Sequence, residues 1–121
     1  MRTIPALCLK DFGTLETNYA TLVLQQIKKL ETRTWSTKYR GDLLITCSKS
    51  SKSPYAGKAI CVVKLGEIEP MEKHHEKDAC IGVYPKAKVW HLSEVRQLNR
   101  MFNIKSQLSI FQVELPDDVT Y

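Results

Sequence analysis

The most informative segment of this chain is residues 26–35, which read Gln26-Ile27-Lys28-Lys29-Leu30-Glu31-Thr32-Arg33-Thr34-Trp35. From Lys29 to Trp35 the side chains alternate in character and include two threonines, a pattern that predicts a β-strand. In a strand, Glu31, Arg33 and Trp35 lie on one face. An ordinary core face does not combine an ion pair with an indole. The pattern therefore indicates the wall of a pocket.

The elements predicted around this segment define the fold class. Leu15 to Gln26 carry apolar residues at helical spacing, which predicts one amphipathic helix capped by Thr14. Strands are predicted at 4–9, 42–48, 58–68, 88–98 and 108–115, with a short helix within 70–78. Five or six short strands with one long helix after the first predict a mixed α+β domain, mainly β. We expect a small, mostly antiparallel β-barrel.

Composition predicts one domain spanning residues 1–121. The formal charge of +5 is compatible with a polyanionic partner. No run of eighteen apolar residues occurs and the first residues lack a long apolar segment, so neither a membrane helix nor a signal peptide is expected.

The four cysteines lie in apolar contexts and form no CxxC pair. We therefore expect buried, reduced thiols in a cytoplasmic protein, without a zinc framework. His74-His75, with Glu72, Glu76 and Asp78 nearby, fits a solvated helix face better than a metal site, because adjacent histidines diverge on a helix. No metal or cofactor is predicted.

The order of motifs along the chain resembles the ASCH domain, a relative of the PUA RNA-binding fold. The family signature is GxKxxExR, and Lys28, Glu31 and Arg33 match its charged positions. Tyr39-Arg40-Gly41-Asp42-Leu43-Leu44-Ile45 and Gly57-Lys58-Ala59 then follow in order, and the resemblance runs from about Leu7 to Val113. Gln26 stands where the signature has glycine, so we expect a differently closed helix end.

The resemblance implies a PUA-like barrel with a cleft beside the helix that binds RNA or a modified nucleoside. It also implies a hydrolase as an alternative, because some small bacterial members deacetylate N4-acetylcytidine and another group is described as a ribonuclease. The deacetylases resemble this chain at Lys28 and Arg33 but carry threonine in place of Glu31. Their catalytic glutamate would fall at or near Asp78. Lys28, Glu31 and Asp78 are therefore the catalytic candidates.

The candidate ligand-binding residues extend this set beyond the signature. Lys28 can donate to a phosphate, or act as a base if burial lowers its pKa, or simply cap the helix end. Glu31 and Arg33 can form a structural ion pair or orient the guanidinium toward an anion. The remaining candidates are walls and loop residues of the expected cleft: Trp35, Tyr39, Arg40, Ser48 and Lys49.

Each of these remaining residues also has a structural interpretation. Trp35 and Trp90 can stack a nucleobase or pack in the core, and we expect Trp35 in the pocket and Trp90 in the core. Arg40, Ser48 and Lys49 can contact phosphates or merely face solvent. A third functional class, a protein-interaction module with an incidental pocket, remains open, and the oligomeric state is not predicted.

Overall fold

The computed structural model describes all residues, 1–121, and contains six strands and two short helices. In chain order the elements are β1 (Arg2–Leu9), α1 (Tyr19–Leu24), β2 (Leu30–Arg33), β3 (Gly41–Cys47), β4 (Lys58–Pro70), α2 (Glu76–Ala79), β5 (Lys88–Asn103) and β6 (Phe111–Leu115). A single 3₁₀ turn, Lys73–His75, leads into α2. The mainly β, mixed α+β prediction is confirmed.

The strands form one open sheet, and the predicted barrel is wrong. The order is β2-β5-β4-β3-β1-β6, so β2 and β6 each have one neighbour and remain edges. β1 pairs with β3 in parallel, and every other neighbouring pair is antiparallel. Three register shifts along the β4–β5 pair interrupt its ladder. The number of short strands predicts a sheet. It does not predict whether the two edge strands pair with each other and close the sheet into a barrel.

Side chains on both faces of the sheet are buried. Consecutive residues of β3 point to opposite faces, so Leu43 and Ile45 join one cluster while Leu44 joins another. α1 covers the first face through Ala20 and Val23. A smaller cluster that includes Leu30, Ala79 and Val89 packs β2 and β5 against α2.

The predicted long helix over 15–26 is also wrong, because α1 has only six residues. Thr14 and Thr17 form a turn instead, with their hydroxyl oxygens 2.6 Å apart. The buried carboxylate of Asp11 accepts the backbone N–H of Thr21 at 3.1 Å and its hydroxyl at 2.6 Å. An outside residue therefore satisfies the first turn, and the helix begins at Tyr19. Leu15 is left 84% exposed.

α1 ends in the motif that the family glycine would make, contrary to the expectation of a differently closed turn. Gln26 has a left-handed φ of 62°. Its N–H donates to the carbonyl of Val23, and the N–H of Ile27 donates to that of Leu22. These two bonds define a Schellman motif, which a glycine would form without strain. Neither helix has the length and apolar character needed to cross a bilayer.

Candidate functional site

Lys28 lies in the wall of a cavity, immediately after α1. Its backbone N–H donates to the carbonyl of Leu22 at 3.0 Å, so the helix end fixes its position. The side chain is almost fully buried. Its ammonium donates to the carbonyl of Ala79 and stands 3.6 Å from Glu31 Oε1 and 5.0 Å from the ring centre of Tyr19. Burial lowers the pKa of Lys28, and the neighbouring Glu31 carboxylate opposes that shift.

Glu31 and Arg33 point to the same side of β2, as the alternation predicted. Arg33 donates to Glu31 Oε2 from Nε at 3.1 Å and from Nη2 at 2.8 Å. Glu31 Oε1 accepts the backbone N–H of Thr32 at 3.1 Å and faces Lys28. The buried carboxylate is thus surrounded by donors on both oxygens. Its contacts hold two cations, Lys28 and Arg33, in place.

Arg33 also connects two strands that are not neighbours in the sheet, β2 and β1. Its Nη2 donates to the carbonyl of Cys8 at 2.8 Å, although β1 and β2 do not pair. The guanidinium therefore uses Nε and Nη2 within the protein, and no hydrogen bond in the chain involves Nη1. Arg33 lines the cavity, and one nitrogen of its guanidinium has no acceptor in the protein.

The cavity beside these residues has a volume of about 650 Å³, within the range of ligand pockets. Its lining contains three cations and one carboxylate, together with aromatic and hydroxyl groups. The lining residues are Cys8, Leu9, Lys10, Phe12, Tyr19, Lys28, Glu31, Thr32, Arg33, Ser48, Ile81, Tyr84, Ser106, Gln107, Leu108 and Ser109. An excess of positive charge over a partly apolar wall is suited to an organic anion.

The structure brings four of the sequence-derived candidates together in this cavity: Lys28, Glu31, Arg33 and Ser48. Lys49 lines a second, adjoining cavity instead. Asp78 is exposed and absent from both linings, and its carbonyl accepts the backbone N–H of Lys29 at 2.8 Å. No ion pair joins its carboxylate to Lys28.

The predicted aromatic and loop walls lie outside both cavities. Trp35 follows the end of β2 and packs edge-on against Trp90, with ring centres 5.0 Å apart. Trp90 is fully buried, as expected. Tyr39 donates its hydroxyl to the carbonyl of Asp42, and Arg40 donates to the carbonyls of Thr37 and Tyr39, both at 2.7 Å. These contacts close the loop before β3.

Two aromatic side chains of the cavity, Phe12 and Tyr19, are not among the candidates predicted from the sequence. Phe12 lies between Asp11 and Gly13, is 51% exposed and lines the cavity. Tyr19 lies within the predicted helix over 15–26, and its ring packs edge-on against that of Phe12, with ring centres 5.8 Å apart. Lys10 Nζ lies 5.1 Å from the Phe12 ring centre. The available signal was a phenylalanine in a polar turn, where no core could cover it.

A separate cluster of ligand-type side chains lies away from the cavity and contains Glu69, His75 and His91. Glu69 Oε2 is 2.6 Å from His91 Nε2 and 3.8 Å from His75 Nε2. The Nδ1 of His75 accepts the backbone N–H of Glu72 at 2.9 Å, so the proton of a neutral ring lies on Nε2 and faces the carboxylate. Metal ligation would need that Nε2 lone pair and a proton on Nδ1. The geometry therefore favours a hydrogen-bonded cluster over a metal site.

Comparisons with known proteins agree with this fold. A sequence model of the ASCH domain family matches residues 14–102. Among solved structures, the chain is similar to the crystal structure of a mutant of the ZmASCH protein from Zymomonas mobilis. The TM-score is 0.62 at 12% identity, over 93% of this chain and 91% of that one, which indicates a shared fold. No curated protein matches the sequence.

Proposed function

Because the chain belongs to the ASCH domain family, we propose that it binds RNA, as a single strand or through one modified nucleoside. The observation that carries the proposal is the buried Glu31 carboxylate, which holds Lys28 and Arg33 side by side in the wall of one cavity. Pre-positioned cations bind an anion at a smaller entropic cost than freely moving ones. This arrangement is what a phosphate-bearing ligand requires.

Arg33 is the proposed hydrogen-bond donor to a phosphate of the ligand. Two of its nitrogens are anchored by Glu31 and by the carbonyl of Cys8, which fixes the plane of the guanidinium. Nη1 is left to donate to a phosphate or base oxygen, and charge-assisted bonds of this kind are among the stronger hydrogen bonds in proteins. Glu31 has its acceptor positions occupied, so in this proposal it orients the arginine and does not receive an amino group of the base.

Phe12 is the proposed stacking surface. The residue is about half exposed and lines the cavity, and Lys10 flanks its ring. Stacking of a base on an aromatic ring contributes roughly 1–3 kcal/mol in single-strand binders. Trp35 and Tyr39, the walls expected from the sequence, are engaged in contacts with the protein itself.

The test is a fluorescence-anisotropy titration with a labelled octamer of uridine at fixed salt. Arg33→Gln should weaken binding by about tenfold, and Phe12→Ala by five-fold or more, as expected for loss of a charged contact and of a stacked base. Lys38→Gln is the matched control, because Lys38 is exposed and outside both cavities. Equal losses in Arg33→Gln and Lys38→Gln would favour diffuse electrostatics and count against a defined site, and an unchanged affinity in Phe12→Ala would count against stacking.

A second candidate function, hydrolysis of an N-acylated nucleoside, is favoured by the environment of Lys28. A buried amine with a lowered pKa beside a carboxylate is a typical acid–base arrangement. The neutral amine of Lys28 would take a proton from water as the water oxygen adds to the acyl carbon, and it would return that proton to the leaving nitrogen as the C–N bond breaks, which releases acetic acid and cytidine. Chromatography of N4-acetylcytidine after incubation with the protein tests this function. No release of cytidine above a Lys28→Met control counts against it.

A further inference from the structure

A second cavity of about 710 Å³ adjoins the first. Ser48 and Ser106 line both cavities, so these two side chains stand at their junction. The second lining contains two lysines and no carboxylate: Ser48, Lys49, Ala56, Gly57, Asn103, Ile104, Lys105 and Ser106. Its charge is therefore wholly positive, and it contains no aromatic side chain.

The junction is held in place by hydrogen bonds from buried parts of the sheet. The hydroxyl of Ser106 lies 3.1 Å from that of Thr46, which is fully buried on β3. The backbone N–H of Ser48 donates to the carbonyl of Leu9 at 2.8 Å. On the far wall, the N–H of Ile104 donates to the carbonyl of Gly57 at 2.9 Å. Both residues shared by the two linings are thus hydrogen-bonded to strands of the sheet or to the residues that end them.

We infer that the two cavities form one channel for a single-stranded polynucleotide, and that the second is a backbone subsite. This inference rests on the proposed function of the first cavity. Lys49 and Lys105 supply contacts for a phosphate, while the serine hydroxyls and the Asn103 side chain can bond a ribose. The absence of an aromatic ring leaves no platform on which a base could stack. The second cavity therefore accepts the sugar–phosphate of the nucleotide next to the one held beside Arg33.

A channel of this kind binds a polynucleotide through both cavities and a free nucleotide through the first cavity alone. The double variant Lys49→Gln/Lys105→Gln removes the charge of the second cavity and leaves the first lining intact. The matched control is Lys38→Gln/Lys73→Gln, in which two exposed lysines outside both cavities lose the same total charge. Each protein is titrated with an octamer of uridine and with uridine monophosphate, and a thermal melt checks that it is folded.

For the octamer, the double variant should bind roughly tenfold more weakly, and the slope of log K against log salt should flatten by about 1.4, for two lost phosphate contacts. Binding of the monophosphate should stay within about twofold of wild type, and the control should change neither ligand by more than about twofold. An unchanged octamer affinity, with wild type still binding both ligands, overturns the channel alone. Equal losses for the octamer and the monophosphate also overturn it. If wild type binds neither ligand, the proposed function fails and the channel fails with it.

Discussion

A single carboxylate oxygen of Glu31, Oε2, accepts two hydrogen bonds from Arg33, from Nε at 3.1 Å and from Nη2 at 2.8 Å. The other oxygen faces the buried ammonium of Lys28 at 3.6 Å. Side chains two residues apart on a strand share a face, so this geometry follows directly from their spacing on β2. The relationship makes Glu31 a positioning residue whose loss affects two cations at once.

Replacing Glu31 with glutamine should lower the free energy of unfolding by about 3 kcal/mol. The change leaves the buried Lys28 without its counter-charge, and breaking one partner of a buried ion pair costs about 3–5 kcal/mol. Urea denaturation measures the effect. Glu114→Gln is the control, since Glu114 is exposed on the edge strand β6. If both variants lie within about 0.5 kcal/mol of wild type, the carboxylate is not holding the site together.

Gln26→Gly should stabilise the protein by about 0.5–1 kcal/mol. Gln26 has a φ of 62°, which strains any residue with a Cβ, whereas glycine adopts it freely and forfeits part of the gain through the entropy of the unfolded chain. Gln25→Gly is the neighbouring control, because Gln25 has an ordinary φ of −79° and gains nothing from glycine. Urea denaturation of both variants is the measurement. A loss of stability in Gln26→Gly contradicts the Schellman ending of α1.

The titration of Lys28 should appear in the pH dependence of stability. Its folded pKa is lowered, chiefly by burial, so between that pKa and the unfolded value of about 10.4 the unfolded chain binds more protons. Stability contributed through Lys28 therefore rises with pH across this window. In urea denaturation, the free energy of unfolding of wild type relative to Lys28→Met should rise from pH 7 to pH 10.

Lys38→Met serves as the reference for loss of an exposed lysine in the same series. The difference in free energy of unfolding between wild type and each variant is compared at every pH. If the difference for Lys28→Met follows that for Lys38→Met, burial of Lys28 makes no contribution to the pH dependence of stability. A difference that shrinks as pH rises would have the wrong sign and would also refute the prediction.

The stability difference between wild type and His91→Gln should depend on pH in the acid range. The pKa of Glu69 is lowered, first by its hydrogen bond with His91. A depressed carboxylate pKa gives stability that is present above the unfolded value of about 4.3 and lost as pH falls through the folded one. The advantage of wild type over His91→Gln should therefore be larger at pH 5.5 than at pH 3, by urea denaturation. A constant advantage would show that Glu69 and His91 are not coupled.

The parts of the site that the sequence predicted are those that depend on local spacing. Glu31 and Arg33 are two residues apart on a strand, and the motif places Lys28 just after the helix. The helix length was mispredicted because the Asp11 carboxylate, ten residues before Thr21, decides where α1 starts. No periodicity encodes such a contact.

The remaining failures involve relationships between distant segments. Phe12 and Ser106 line the same cavity although they are far apart in the sequence. Residues 108–110 were predicted to begin the last strand, but β6 begins at Phe111 and Ser109 has a φ of 58°. The C-terminal tail also makes a contact that local patterns do not encode, because Val119 is fully buried and its carbonyl accepts a hydrogen bond from Arg2 Nη2 at 2.8 Å. Whether the sheet closes is likewise decided by pairing, not by strand count.

The most direct test of RNA binding at the cavity is an amide chemical-shift map of ¹⁵N-labelled protein titrated with an octamer of uridine. Binding at this site should give the largest, saturable shifts at Phe12, Arg33, Ser48 and Ser106, the residues that line the first cavity or its junction with the second. Lys38, Arg40 and Asp78, outside both cavities, should shift little. Shifts that never saturate, or that centre on those outer residues, would contradict it.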